Sequence, residues 1–271
     1  MRNWKKILTL VLDIAIGVYL VFAITAFNKP DDAINICNQV TVDIADETTN
    51  GFITVEGIKE LLEKNKLYPL EKPLKFVDDR KIEDLLKTSP FVNTAECYKT
   101  QAGSVFINIT QRMPTVRVKA INGDDYYLDD KDCIMPNSNY TSDLIIATGY
   151  ISRWFATNYI SILTKALTAN PFWENQIEQI YILPDKGVEL VPRVGHHIVY
   201  LGKLPFCNSK NKRQELIQAF VDKKMTRLEK FYKYGLSQAG WNKYSYINLD
   251  FDNQIICKKK VTSPSKPQSQ V

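Results

Sequence analysis

Two histidines, five cysteines and one acidic run are the residues of this chain whose types could do chemistry. His196 and His197 are adjacent in an extended, apolar stretch. Neighbours on a strand point to opposite faces, so the pair cannot readily share one metal ion or one substrate, and a satisfied surface or barrel histidine is the better account. The cysteines, Cys37, Cys97, Cys133, Cys207 and Cys257, are odd in number and cannot all pair within one chain. They include no C-x-x-C and no zinc-site spacing. An oxidising compartment would permit a bridge or two, and free thiols explain the pattern at least as well. Asp124, Asp125, Asp129, Asp130 and Asp132 invite a calcium ion, but they lack the spacing and terminal Glu of an EF-hand loop. Aspartates also favour turns for their own backbone-bonding reasons. There is no G-x-S-x-G, no phosphate-binding loop and no H-E-x-x-H. No catalytic residue, metal or cofactor is therefore expected.

The element that positions everything else is Ile7 to Phe27, 21 residues with a single charge, Asp13. As an α-helix it reaches roughly 32 Å, enough to cross a hydrocarbon core of about 30 Å. Thirteen of its residues are Ile, Leu, Val or Phe, which favour insertion by about 4–8 kcal/mol; one off-centre aspartate costs at most about 3 kcal/mol. Arg2, Lys5 and Lys6 precede it, and Lys29, Pro30, Asp31 and Asp32 follow. The positive-inside rule then predicts residues 1–6 as a cytoplasmic tail, 7–27 as a transmembrane helix and the rest outside the cytoplasm. A cleaved signal peptide would have a shorter apolar core. Asp13 is read as a contact with another single-pass helix, because a proton relay would need further ionisable groups in the membrane.

The net charge of +5 is spread over clusters of both signs, which argues against a nucleic-acid surface. Lys258-Lys259-Lys260 reads as a solvated strand end. Beyond a polar spacer at 28–36, Val40, Val42 and Ile44 alternate as a strand. Thr54 caps a helix to about Asn65, and Asp78 or Asp79 caps a second that stops at Ser89-Pro90. Two strands joined at Ala102-Gly103 follow. The order strand–helix–helix–strand–strand lets two helices cover a three-stranded sheet. Past Pro114 the pattern is β-rich: strands at Thr115–Ala120 and Tyr126–Leu128, a helix at Trp154–Leu167 with Trp154 in its core, and a hairpin around Pro184-Asp185-Lys186. A strand at His196–Leu201, a long helix from Lys212 to Tyr234 ended by Gly235, and extended sequence from Lys243 complete it. From Val261 the tail carries too little apolar surface to order itself.

In this order the residues resemble the FtsQ/DivIB family of bacterial cell-division proteins. The resemblance runs from Ile7 to Lys260 and rests on the anchor, on Ser89-Pro90-Phe91-Val92, on Arg112-Met113-Pro114 with Gln111 where the family has Glu, and on "YYLDDKDCIMP" with Asp132 where Gly is common. "GVELVPRVGHHIVYLG" and "YSYINLDFDNQIICKK" resemble the middle and closing strands of the family's β domain. The resemblance implies an α+β chain: a POTRA-like domain at 37–112, a β domain with two helices at 113–260 and a disordered tail at 261–271. It also implies a non-enzymatic scaffold of the cytoplasmic membrane that takes part in septum formation. Its partners would be FtsB-type and FtsL-type division proteins, bound by adding a strand to an open sheet edge. The edge it points to is the closing strand, with Tyr244, Tyr246, Ile247, Leu249, Phe251 and Ile255, and Arg193 as a rim charge. An anchored enzyme acting on peptidoglycan would need a pocket with a nucleophile–base pair, which the sequence lacks. A POTRA-bearing assembly factor would usually carry repeated modules.

Overall fold

The structure, a computed structural model, describes residues 2–27, 35–45, 51–138 and 143–260. The tail from Val261 and most of the predicted spacer lie outside these residues. Helix α1 runs Arg2–Phe27, beginning ahead of the apolar window Ile7–Ile24, whose mean hydropathy is 2.6. Leu8, Val11, Val18, Phe22 and Ile24 are all exposed along it, as is Asp13. That much bare apolar surface on a helix of spanning length makes α1 a candidate membrane anchor.

By internal contacts the chain divides into Met1–Gln111 and Arg112–Val271. In the first unit β1 (Gln39–Ala45), α2 (Val55–Lys64), α3 (Asp79–Lys87), β2 (Val92–Lys99) and β3 (Ser104–Gln111) follow in turn. The sheet order is β1-β3-β2, with β1 parallel and β2 antiparallel to β3. Local chemistry sets the helix starts: the Gly57 amide donates to Thr54 Oγ1 (3.1 Å) and the Lys81 amide to Asp78 Oδ1 (3.2 Å). Ile58 and Leu62 of α2 and Ile82 and Leu86 of α3 close over Val105, Ile107 and Ile109 of β3. Gln111 is buried, accepting from the Ile53 amide (3.3 Å) and donating to the Ala45 carbonyl (3.5 Å). A glutamate there could accept the first bond but not make the second, so the amide has a structural reason.

The second unit carries a nine-stranded sheet. Its strands are β4 (Pro114–Ala120), β5 (Asp125–Asp129), β6 (Ile134–Pro136), β7 (Ile146–Gly149), β8 (Ile177–Ile182), β9 (Gly187–Pro192), β10 (Ile198–Lys203), β11 (Tyr244–Asn248) and β12 (Ile256–Lys259). Their spatial order is β12-β11-β10-β9-β8-β7-β4-β5-β6. The longer helices among those that join them are α4 (Ser161–Thr168), α5 (Pro171–Gln176) and α6 (Lys210–Phe231). Leu163 and Leu167 of α4 and Ile217, Val221 and Leu228 of α6 share one core with Val116, Ile180, Leu190, Val199 and Ile247 of the sheet.

Two expectations about the helices are corrected. The segment before α4 contains a wide π turn, Ala156–Ile160. Its extra residue rotates what precedes it, so Trp154 is 55% exposed rather than in the core, while Phe155 and Tyr159 remain inside. Gly235 does not end α6. It lies inside a second π turn, Tyr232–Leu236, and the chain leaves the helical path at Gly240, with φ 94°.

His197 is buried and His196 is exposed, the alternation expected of neighbours on an extended segment. His197 Nε2 lies 2.7 Å from the Tyr232 hydroxyl. Burial pushes its pKa below the ordinary 6.5. The unfolded chain therefore takes up a proton first, and stability is lost as pH falls from about 6.5 towards the folded value. The expected slope is at most about 1.4 kcal/mol per pH unit. Urea midpoints taken through this range should fall for the parent chain, and His197→Gln should flatten that fall.

Candidate functional site

The sheet of the second unit ends on β6 at one side and β12 at the other. β6 is three residues long and closes on Pro136, which has no amide to donate. Among the described residues β12 is bound on one side only, by antiparallel pairing to β11 from Tyr244↔Lys259 to Asn248↔Ile256. The Lys260 amide donates to the Lys243 carbonyl (3.0 Å). Backbone groups alternate along a strand, so those of Cys257 and Lys259 face away from β11 and form the open edge.

This moves the predicted edge by one strand. Tyr244, Tyr246 and Ile247 lie on β11, which is bonded to β10 on one side and β12 on the other. Ile247 and Leu249 are fully buried in the core and cannot meet a partner. Tyr244 packs beside Phe231 of α6, with ring centroids 6.3 Å apart. Tyr246 donates its hydroxyl to Glu189 Oε1 (2.9 Å), and burial together with that bond raises its pKa. Phe251, 48% exposed, sits in the β11–β12 connection, and Ile255 packs partly against the core at the root of β12. Arg193 is not brought to this edge. It ion-pairs with Asp143, and its amide donates to Gln176 O (2.8 Å), which places it beside the start of β8. Ile256 to Lys260, which form and follow β12, were not among the edge residues the sequence pointed to. Their signal was a lysine run directly after an apolar pair, a usual way of guarding a sheet edge.

Helix α6 fixes where β12 lies. Lys224 is buried, and its ammonium donates to the carbonyls of Leu249 (2.6 Å) and Asp250 (2.7 Å). Arg227, one turn on, donates to Leu249 O (3.3 Å) and Gln254 O (2.8 Å). Lys223 pairs with Asp252 at 2.8 Å. Three cations on α6 therefore hold the β11–β12 connection through its carbonyls and one carboxylate. Burial pushes the Lys224 pKa down, opposed by Asp250 and Asp252. A shallow groove beside this connection is lined by Arg227, Lys230, Phe231, Tyr234, Asn253 and Ile255.

The acidic run has other work. Asp124 pairs with Arg153, Asp125 with Arg117, Asp129 with Arg112, and Asp132 with Lys165 and Lys210. These four carboxylates point to separate cations, and among the described residues the run gathers no cluster of three or more possible metal ligands. Asp132 has φ 65°, the left-handed backbone that favours Gly. Burial works against ionisation of its carboxyl, but bonds from Lys165, Ser161 and Lys210 together hold its pKa low. All five cysteines are free thiols.

Two comparisons agree with this architecture. Residues 35–110 match the model of a POTRA-like domain. Residues 113–258 match the model described as FtsQ/DivIB, C-terminal related. No curated protein matches the chain. The second match alone covers more than half of the 271 residues and contains the whole nine-stranded sheet except its final residue; the chain belongs to the FtsQ/DivIB-related family of cell-division proteins.

Proposed function

We propose that this protein is a membrane-tethered scaffold of the division septum that holds a partner by strand addition at β12. The FtsQ/DivIB family is one of non-enzymatic division scaffolds. The observation that carries the reading is the one-sided pairing of β12 in a sheet whose other edge is short and closed by proline. An open edge offers a row of unpaired amides and carbonyls, and an extended segment of another chain satisfies them. The partners are FtsB-type and FtsL-type division proteins. Helix α1 crosses the cytoplasmic membrane with Arg2, Lys5 and Lys6 inside, and both folded units work outside it. Asp13 meets another single-pass helix.

The test is depletion followed by capture. Cells depleted of the protein should filament without septa, and detergent extracts should yield it with small single-pass division proteins. Normal division on depletion would reject the role. A disulfide-dependent phosphatase fused after Lys260 is active only outside the cytoplasm, so an inactive fusion would reject the orientation.

A further inference from the structure

A cavity of about 280 Å³ in the second unit is walled by aromatic rings. It lies between the segment before α4, the β8–β9 turn and the end of β10, and Trp154, Phe155, Tyr159 and Phe206 line it. Tyr159 is at its centre. The Tyr159 ring stacks on Phe155 (centroids 4.9 Å apart) and on Phe206 (6.3 Å), with Trp154 tilted at 5.7 Å. Its hydroxyl donates to the Cys207 carbonyl and accepts from the Cys207 amide, both at 3.3 Å, and the Arg213 guanidinium lies 4.9 Å from the ring centre. These contacts hold Phe206, the residue before Cys207, at the cavity although it is 73% exposed. Trp154 stands at the rim because of the π turn Ala156–Ile160, an irregularity found often at functional sites. One exposed apolar side chain is ordinary, whereas two beside a cavity mark a contact site.

One cation belongs to the wall. Lys186 is half-buried in a left-handed turn, with φ 68°. Its ammonium donates to the Tyr150 carbonyl (2.9 Å) and lies 4.7 Å from the centre of the Phe155 ring. Among the described residues it has no carboxylate partner, since Asp185 beside it is taken by Lys203 at 3.0 Å. Many surface lysines lack a partner, but this one is fixed by two contacts against an apolar wall, where a charge interacts more strongly than in open water.

We infer that this cavity receives one aromatic side chain of a partner protein, with a carboxylate in the adjoining residue reaching Lys186. The space is just under the roughly 300–1,000 Å³ of sites that take drug-sized ligands, and it suits one large side chain rather than a strand or a helix face. Aromatic rings favour the offset and edge-on geometries that the four wall rings offer, which should prefer Phe over Leu by roughly fivefold. The wall is already in place, so little ordering is needed on binding. Lys186 spends one of its three donors on Tyr150, and a carboxylate uses the others better than an amide does. A second copy is a poor occupant. Among the described exposed aromatic side chains only Phe251 stands directly beside acidic residues, and of these Asp252 is bound to Lys223 and Asp250 is packed against Gly202. The cavity shares no residue with β11 or β12, so it can be filled whether or not a strand is added at the edge.

The experiment uses the full chain in lipid nanodiscs, with 5-fluorotryptophan in place of tryptophan. The fluorine resonance of Trp154, identified with Trp154→Phe, reads the cavity directly. The probes are three capped tetrapeptides, Gly-Phe-Glu-Gly, Gly-Phe-Gln-Gly and Gly-Leu-Glu-Gly, each raised to roughly 10 mM because a single anchor binds weakly. The Phe-Glu peptide should move the resonance and bind roughly fivefold more tightly than either of the others, and salt should shrink its advantage over Phe-Gln. Phe206→Ala, at an exposed position where the fold is retained, should weaken it by at least about tenfold. Lys186→Gln should erase the preference for Glu over Gln and keep that for Phe over Leu. Cys257→Pro, which blocks the β12 edge, should leave the titration unchanged. A Trp154 resonance that no peptide moves would overturn the proposal, and so would equal affinity for the Phe-Glu and Phe-Gln peptides. A resonance that moves with protein concentration alone would make a second copy the occupant, and one that moves with the acyl chains of the disc would make lipid the occupant; either result ends the proposal.

Discussion

Cys257→Pro should abolish capture of the partner while the β domain stays folded. Cys257 is the second of four residues on the edge strand, and its amide faces away from β11. Proline removes that donor and puts its ring where an incoming strand must lie. The lost inter-chain hydrogen bond alone is worth about 0.5–1.5 kcal/mol, and the ring obstructs pairing on either side of it, so binding should fall by at least about tenfold. The ladder to β11 keeps its bonds, since proline is tolerated where the missing amide faces outward. Cys257 is half-buried, so loss of its packing costs no more than about 1 kcal/mol. Cys257→Val keeps the amide and should keep binding. Titration of purified partner, alongside thermal unfolding of each variant, makes the comparison. A proline variant that binds as tightly as the parent would show that the partner sits elsewhere.

The second large effect is expected at Lys224→Met. Methionine fits the aliphatic course of the lysine but leaves the carbonyls of Leu249 and Asp250 without the ammonium that bonds both at under 2.8 Å. Leu249 is fully buried, so water does not readily replace the donor, and Arg227 reaches its carbonyl only at 3.3 Å. Hydrogen bonds to charged groups are worth about 1.5–3 kcal/mol, and a buried carbonyl left bare costs about 1–3 kcal/mol. The buried ammonium also carries a desolvation cost that its removal relieves. The net loss should therefore be about 2–3 kcal/mol, read from denaturant midpoints. It should be local in character: amide exchange across residues 244–259 should speed up more than exchange in β8 and β9. Lys224→Arg should restore part of the protection. Exchange at β11 and β12 that matches the parent would show that α6 does not hold the edge in place.

Much of the chain was readable because its determinants are local. Thr54 and Asp78 cap their helices, Ser89-Pro90 stops the second, Gly103 turns β2 into β3, and Pro184-Asp185-Lys186 turns β8 into β9. The apolar window from Ile7 is a property of composition alone. The strands that escaped notice are β6 and β7, of three and four residues, too short for alternation to register. The two π turns escaped for a different reason. A one-residue widening changes no residue type, yet it moved Trp154 from the core to the surface and the end of the helix from Gly235 to Gly240.

By itself the sequence determined that the chain begins with an apolar helix of spanning length, that two helices cover a small sheet, and that a larger β-rich unit follows. These properties depend on hydrophobic period, caps and turn residues, all of which act over a few positions. Only the tertiary structure decided which strand is the last. Tyr246 to Leu249 and Ile256 to Lys259 both read as extended sequence, and periodicity says nothing about which of two strands has a neighbour on its far side. That choice is made by α6, whose buried Lys224 and Arg227 grip the connection between them and leave β12 outermost. Strand order is a contact between residues far apart in sequence, and it is settled by burial and hydrogen bonding across the sheet rather than by local preference.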